Sequence, residues 1–433
     1  MQNEGQIAVG VHAEGGSVMA MRAPARQRDN PLTRSKPGMV GLVVLALMFI
    51  ACVGTLPWTL GSAPGAGVPR YDAGAPIEGR LPPNWMPYDE QDIARANAAV
   101  DRDVLAEIAH EHGVSVDALL EAREGRLLEL IRPHWPDYVL GSDTLGRSLA
   151  IRLLAGGGIS LTIGIAAALL SVGIGTIYGA LAGYLGGKVD SFMMRVVDVL
   201  YGLPYILLVV LLAVASGAVV DEWVTRAKAK EDWMRTRVIE QHTQQGETIT
   251  RSQATELLAR NPDLRVELLG EASVKYPARE LSVGMRTTLD VVTLLIAIGG
   301  VSWLTMARVI RGQVLTLKNQ PFVEAARAVG SSPVRIFARH LLPNLLGPII
   351  VYATLTVPQA ILQESFLSFL GIGVKPPLPS WGNLAAEGLS ELNAYRSHWW
   401  LLFFPCLLLG ITLLSMNFVG EGMREAFDPK RKR

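Results

Sequence analysis

Residues 159–182 read ISLTIGIAAALLSVGIGTIYGALA, a run of 24 positions without a charge or a proline. At a rise of about 1.5 Å per residue, roughly 20 such residues cross the hydrocarbon layer of a bilayer. A single run of this kind also suits a buried helix of a large soluble protein, so recurrence decides. It recurs at 39–58, 199–220, 291–307, 345–363 and 399–420, each free of Asp, Glu, Lys and Arg. Half of the 433 residues are hydrophobic and the formal net charge is +1. That balance does not suit nucleic acid. The expected fold class is an all-α integral membrane protein with six transmembrane helices.

Charge sets the orientation. The first run is a poor signal peptide, because its polar lead of about 38 residues is long and Pro64 spoils cleavage after Ala63. As an uncleaved anchor it follows Arg22, Arg26, Arg28, Arg34 and Lys36, which places residues 1–38 in the cytoplasm under the positive-inside rule. Six crossings return the tail, 421–433, to the same side, where Lys430, Arg431, Lys432 and Arg433 agree. The segment 308–344 also falls inside, with Arg308, Arg311, Lys318, Arg327, Arg335 and Arg339 against the single acid Glu324. The outer loop before the last span has only Lys375 and Arg396 as bases. Cys52 and Cys406 sit in apolar spans and suggest no disulfide framework. The expected organisation is a first span at 39–58, an outer segment at 59–158, a membrane core at 159–420 and the tail. The core is interrupted by an outer-face insertion at 221–288.

Both outer segments read as helical. In the first, VLAEIAHEHGVSVDALLEA (residues 104–122) has the helix, Gly113 turn, helix pattern of a DNA-binding module. Residues 89–132 hold 11 acids and 5 bases, a net of −6 where phosphate binding needs the opposite sign. His110 and His112, two apart on a helix, point to different faces and read as solvated surface rather than as metal ligands. The second segment is charged and roughly balanced, with helical stretches such as SQATELLARNPDL (residues 252–264). It reads either as a small subdomain or as a mobile insertion.

No catalytic site is expected. The nearest match to a phosphate loop, AGYLGGKVD, has Ala182 for the first glycine and Val189 for the Ser/Thr that would hold magnesium. It also follows a membrane run rather than a strand. No Cys/His cluster has zinc spacing, and no Gly-x-Ser-x-Gly nucleophile motif occurs. Gly175, Gly179, Gly183 and Gly187, each four apart, draw a smooth stripe along one helical face. In lipid such a stripe lets backbones approach and gain dispersion contact, so it reads as a packing seam rather than a pore lining. A bulky Gly179→Leu is expected to impair assembly.

Between the fourth and fifth spans lies EAARAVGSSPVRIFARHLLPN, residues 324–344. Pro321 favours the start of a short helix over 322–329, and Gly330 supplies the freedom to end it. Ser332 and Pro333 read as N-cap and first residue of a second short helix, which Pro343 closes. On it Ile336, Phe337, His340 and Leu341 share a face, and Arg335 and Arg339 line another. One reading is a loop lying on the bilayer whose arginines obey the charge rule. The other is a stiff knob that receives force from a soluble partner. Elsewhere, Arg195 and Asp198 are expected to pair. Gln363 and Glu364, near the outer end of the fifth span, are candidates for a gate or pathway, against a role anchoring the following SFLSFLGIG turn.

Residues 324–344 resemble the EAA loop of binding-protein-dependent ABC importer permeases, with the Glu-Ala-Ala start, Gly330 and the His-x-Leu-Pro-Asn end in place. LGSDTLGRSLAIRLLAGGGISLTIG, GGKVDSFMMRVVDVLYGLP, ESFLSFLGIGVKPPLPSWGNL and the closing stretch from Trp399 are similar to the C-type subunit of the dipeptide and oligopeptide branch. The likeness covers roughly residues 139–220 and 285–429; 221–288 departs from it as an insertion. It implies a type I ABC importer permease fold in a bacterial inner membrane. It also implies a homologous second permease, two ATPase subunits that carry ATP and magnesium, and an external substrate-binding protein. This chain itself would hold no cofactor. Glu324, Ala325, Ala326, Gly330 and the face from Ile336 through Phe337 and His340 to Leu341 would then meet an ATPase groove, with Arg327, Arg335 and Arg339 free for acidic residues. Peptides are the implied cargo, and nickel or another solute is the alternative. A secondary transporter, a channel or a membrane sensor would need no ATPase.

Overall fold

The computed structural model describes residues 35–427 except 66, 245–246, 248, 277–282 and 394–395. The basic lead up to Arg34 and the basic tail Lys430–Arg433 lie outside the described residues. In chain order the helices are α1 (Lys36–Cys52), α2 (Leu56–Thr59), α3 (Glu90–Ala99), α4 (Arg102–His112), α5 (Val116–Glu121) and α6 (Gly125–Ile131). They continue as α7 (Leu149–Leu185), α8 (Gly187–Tyr201), α9 (Tyr205–Gln244), α10 (Arg251–Arg260), α11 (Pro262–Lys275) and α12 (Val283–Leu317). The last are α13 (Pro321–Ala328), α14 (Pro333–Ile336), α15 (Leu342–Phe369), α16 (Trp381–Ser390) and α17 (Trp400–Phe427). Among the described residues no named strand forms; pairing is limited to isolated bridges.

Five helices are long and apolar enough to cross a membrane, and six if the bent pair α8 and α9 counts as one span. The centre is α7, which packs on α12, α15 and α1, while α1 and α15 also pack on α17. Because lipid gives little drive for burying apolar surface, close approach has to come from small residues. An added Cβ on Gly164 would sit 2.1 Å from Ile361, and one on Gly41 would sit 2.6 Å from the Ser415 carbonyl. Gly157 and Gly158 do the same at the outer end of α7, against Trp381, Cys52 and Leu56.

Several boundaries differ from those the sequence suggested. Helix α7 begins at Leu149, so the outer segment ends at residue 148 and not at 158. The cause is Arg152, a charge inside the helix whose buried guanidinium is engaged by acids. The third apolar run is not one straight helix. Its first residues close α8, and the chain turns by 88° before α9. Pro204, which removes a backbone donor and disfavours helical geometry at Leu203, sits at that corner. Arg308 and Arg311 belong to α12, so the segment taken as a loop from 308 starts only after Leu317. Pro343 does not close the second short helix. A π-helical turn over Phe337–Leu341 carries α14 directly into α15, and Pro343 occupies the first turn of α15. Proline lacks the N–H that would bond back one turn, and the wider π turn stands directly before it.

Both segments expected on the outer face are packed units. Leu105, Leu119 and Ile131 are fully buried between α4, α5 and α6, each contributing roughly 1.5–3 kcal/mol by leaving water. The Asn97 amide donates to the Ala122 carbonyl at 2.8 Å and its oxygen accepts from Trp135 Nε1 at 2.9 Å, fastening α3 to the rest. Gly113 caps α4 at φ +65°, and His110 and His112 are exposed. The stretch 252–264 is broken at Asn261 and Pro262 into α10 and α11. These two helices fold against the C-terminal half of α9 around Met234, Val238, Ala254, Leu258, Leu268 and Ala272. The insertion is therefore a three-helix unit with a core of its own.

Candidate functional site

The knob between α12 and α15 is built from the inside outward. Val323 on α13, Ile336 on α14 and Leu341 in the π turn are buried against Ile310 and Val314 of α12 and Leu345 of α15. Gly330 ends α13 at φ +79°, with nothing within 4 Å of an added Cβ. Its requirement is backbone conformation, not space. Gly330 N and Ser331 N donate back to the Arg327 and Ala326 carbonyls at 2.9 and 3.1 Å, and the Ser332 hydroxyl accepts from Arg335 N. Ile336 and Leu341 thus lie in the chain's own core, which removes them from the partner-facing surface on which they were expected. Phe337, His340 and Ala326 are half-buried, and Phe322 lies 6.4 Å from the His340 ring. The outer face carries Glu324, Ala325, Arg327, Arg335 and Arg339, all exposed. Between them stand Val329 and Val334, 86 and 77 % exposed, which sequence reading had not singled out.

Helix α12 holds the knob to the rest of the membrane body. Gly175, Gly179 and Gly183 form the seam on which it rests. An added Cβ would meet Met306 at 2.5 Å, the Ala307 carbonyl at 2.2 Å and the Arg311 carbonyl at 2.9 Å in turn. Gly187 does not belong to that seam. Helix α7 ends at Leu185, and Gly187, at φ +57°, sits in the turn into α8 with open space around it. Across the same turn Arg311 makes two bonds to Asp190, at 2.5 and 2.6 Å, and Lys318 donates to the Gly183 carbonyl at 2.8 Å. Asp198 pairs with Arg308 at 2.8 Å rather than with Arg195. The Arg308 guanidinium also lies over the Tyr201 ring, 4.0 Å from its centre.

Gln363 and Glu364 part company. Gln363 lines a cavity of about 580 Å³ between α8, α12 and α15. Glu364 is wholly buried on the other side of α15, accepting from Ser368 Oγ at 2.7 Å, while that same oxygen accepts from Val374 N at 3.0 Å. The carboxylate thus anchors the turn after α15 and does not line the cavity.

The end of the bundle at which α7 begins, the outer end on the charge reading of the sequence, is tied by ion pairs. Arg152, 2 % exposed, bonds to Asp143 at 2.6 Å and to both oxygens of Glu387 at 2.5 and 3.0 Å. Arg147 joins Asp143 to Asp72, each at 2.7 Å. Arg80 makes a forked pair with Glu391 at 2.7 and 3.0 Å and holds its carboxyl below the usual carboxylate range. Arg396 reaches Gln91, Asp89 and Asp92 at the start of α3. Burial pushes the His398 imidazole below its ordinary value; its Nδ1 lies 3.2 Å from Glu391, off the hydrogen-bonding direction. Among the described residues no group of three or more His, Cys, Asp or Glu is placed to hold a metal.

Several membrane-length helices, a stiff knob joined to two of them and a partly polar cavity on the same pair define a membrane transport subunit. Residues 175–433 match the family of binding-protein-dependent transport system inner membrane components. The dipeptide transport system permease protein DppC of Bacillus subtilis is 37% identical over 307 residues, 71% of this chain and 73% of that protein. The oligopeptide transport system permease proteins OppC of Haemophilus influenzae and Escherichia coli K12 are 37% and 38% identical over 293 residues, 68% of this chain and 70% and 72% of theirs. The chain belongs to this family of ABC transport permeases, as an inner-membrane component.

Proposed function

We propose that the chain is one of two permease subunits that together carry peptides inward, delivered by an external binding protein and driven by two ATPase subunits. ATP and magnesium would bind those ATPases. Six spans are counted as α1, α7, the bent pair of α8 with the first part of α9, α12, α15 and α17, with both termini in the cytoplasm. The close approach of Gly38 to Gly422, 3.3 Å from an added Cβ to the facing Cα, supports an even number of crossings. The cargo is read from the relatives, which are named as dipeptide and oligopeptide permeases.

The observation that carries the coupling role is the build of the knob. Its inner face is bolted to α12 by buried side chains, and its end is continuous with α15 through the π turn. A push on a rigid element is transmitted to both helices, whereas a flexible loop would absorb it. ATPase closure would then bias the permease pair between inward-facing and outward-facing states, a shift driven by differential contact. The contact surface is Glu324, Ala325, Arg327, Gly330, Arg335 and Arg339, with Val329 and Val334 supplying its apolar part. Glu324→Lys and Gly330→Asp are expected to leave membrane insertion intact and abolish ATP-driven peptide uptake in proteoliposomes of the assembled complex. Uptake at the wild-type rate in both variants would sink the assignment. Copurification from native membranes with no ATPase subunit would do the same.

A further inference from the structure

The cavity between α8, α12 and α15 has a consistent chemistry. Tyr352, Thr356, Gln359 and Gln363 follow one another at spacings of four, three and four along α15, and so form one stripe facing it. Ser302 and Thr305 face them from α12, and aliphatic side chains fill most of the rest of the wall. None of the described lining residues carries a charge. The Ser302 and Thr356 hydroxyls each donate to the carbonyl four residues earlier in their own helices, at 2.8 Å, which leaves Thr356 an acceptor on the cavity wall. Gln359 is exposed, and its amide has no hydrogen-bond partner among the described residues. At membrane depth an amide facing hydrocarbon is strongly disfavoured, so this side chain has to meet water, protein or a ligand. At about 580 Å³ the cavity falls within the size range of small-ligand sites.

We propose that this wall is where the permease touches its cargo, and that it grips the peptide main chain. The Gln359 amide offers donors and an acceptor, and the Thr356 hydroxyl offers an acceptor. These groups complement the N–H and C=O groups that every peptide carries. With no fixed charge in the wall, the cavity does not sort peptides by the sign of their side chains. The inference rests on the peptide-permease reading above. It adds to that reading a location and a rule of selection.

The test uses the complete transporter with saturating binding protein in proteoliposomes, and three peptides of equal length, one neutral, one acidic and one basic. Wild type should take up all three at comparable maximal rates. Gln359→Glu should slow the acidic peptide about tenfold relative to the neutral one, the effect of like charges roughly 10 Å apart at an effective dielectric near 20. Gln359→Leu should slow all three alike. If Gln359→Glu fails to assemble, Thr356→Cys in a Cys406→Ser background, modified with an anionic thiol reagent after assembly, supplies the same charge. Wild-type uptake of peptides with an unchanged ratio in the charged variants overturns this inference alone. An introduced thiol that the reagent cannot reach in the assembled complex also overturns it, because the stripe would then be a subunit contact. No peptide uptake by wild type, with ATPase activity intact, overturns the peptide reading and this inference together.

Discussion

The two ends of the molecule use charge in opposite ways. At the end expected outside, Arg80, Arg147, Arg152 and Arg396 are each consumed by acids of the same chain, and three of these four arginines reach acids more than 200 residues away in sequence. At the opposite end, expected inside, Glu324, Arg327, Arg335 and Arg339 stand exposed on the knob, with no ion pair among the described residues. A buried charge left unpaired is costly, so a paired network marks where the chain closes on itself. Exposed and unspent charge on a rigid support marks where it meets something else. The same contrast separates apolar residues of the knob, where Ile336 is 2 % exposed and Val334, two positions earlier, is 77 % exposed.

The sharpest way to break that contrast is Arg152→Ala. It removes a buried guanidinium with three charged hydrogen bonds, leaving Asp143, 3 % exposed, to Arg147 alone and taking from Glu387 its forked pair, and a loss of about 3–5 kcal/mol is expected. The measurement is thermal unfolding of the detergent-purified subunit. A variant as stable as wild type would mean that the outer network is ornamental. Next comes Ile336→Ala, which empties a core position and should cost about 2–5 kcal/mol. Its partner experiment is Val334→Asp, which should change stability by no more than about 0.5 kcal/mol and yet weaken copurification with the ATPase subunit. If Val334→Asp destabilised the chain as much as Ile336→Ala, the division of the knob into a core face and a partner face would fall. Smaller again is Gly179→Ala. One methyl 2.2 Å from the Ala307 carbonyl should cost roughly 1–3 kcal/mol, whereas Gly173→Ala, with nothing within 4 Å, should cost nothing.

What the sequence made legible follows the reach of each signal. Apolar length and charge asymmetry are local sums, so the helical membrane class and most spans could be read directly. Cap chemistry is local too. Pro321, Gly330, Ser332 and Pro333 act as read, because proline, glycine and a capping hydroxyl set backbone geometry within a turn. Pro343 misled because the same residue suits a helix start as well as a stop, and the π turn before it decides between them. The Asp198 partner was misread for a different reason. Arg195 is three residues away on the same helix, whereas Arg308 is brought there by tertiary packing that no periodicity encodes. Gly187 fits the four-residue spacing but lies two residues beyond the end of α7, and spacing alone does not report where a helix stops. Arg152, Glu387 and Glu391 were invisible as a group because their partners are distant in sequence. One clue stood in plain view, an arginine four residues before the Gly156–Gly158 triplet at the mouth of an apolar run.

The smallest expected effect tests how far the outer network is electrostatic. Glu391 is held below the usual carboxylate range by Arg80, and His398 is held below its ordinary value by burial, which with the positive charges of Arg396, Arg80 and Arg95 outweighs the opposing pull of Glu391. In both groups the folded state binds its proton less readily than the unfolded chain does. Stability from each is therefore complete above its unfolded pKa, about 6.5 for His and about 4.3 for Glu, and is lost as pH falls. Asp92, raised chiefly by burial, has the opposite sign and offsets part of the Glu391 effect at low pH. The first loss on acidification from pH 7 should thus come from His398, since the carboxylates titrate later. Thermal unfolding of the purified subunit should shift downward between pH 7 and pH 5 in wild type and stay flat in His398→Gln. An equal downward shift in that variant would place the pH response elsewhere, and would leave the outer clamp resting on packing and on Arg152 rather than on the Arg80, Glu391 and His398 cluster.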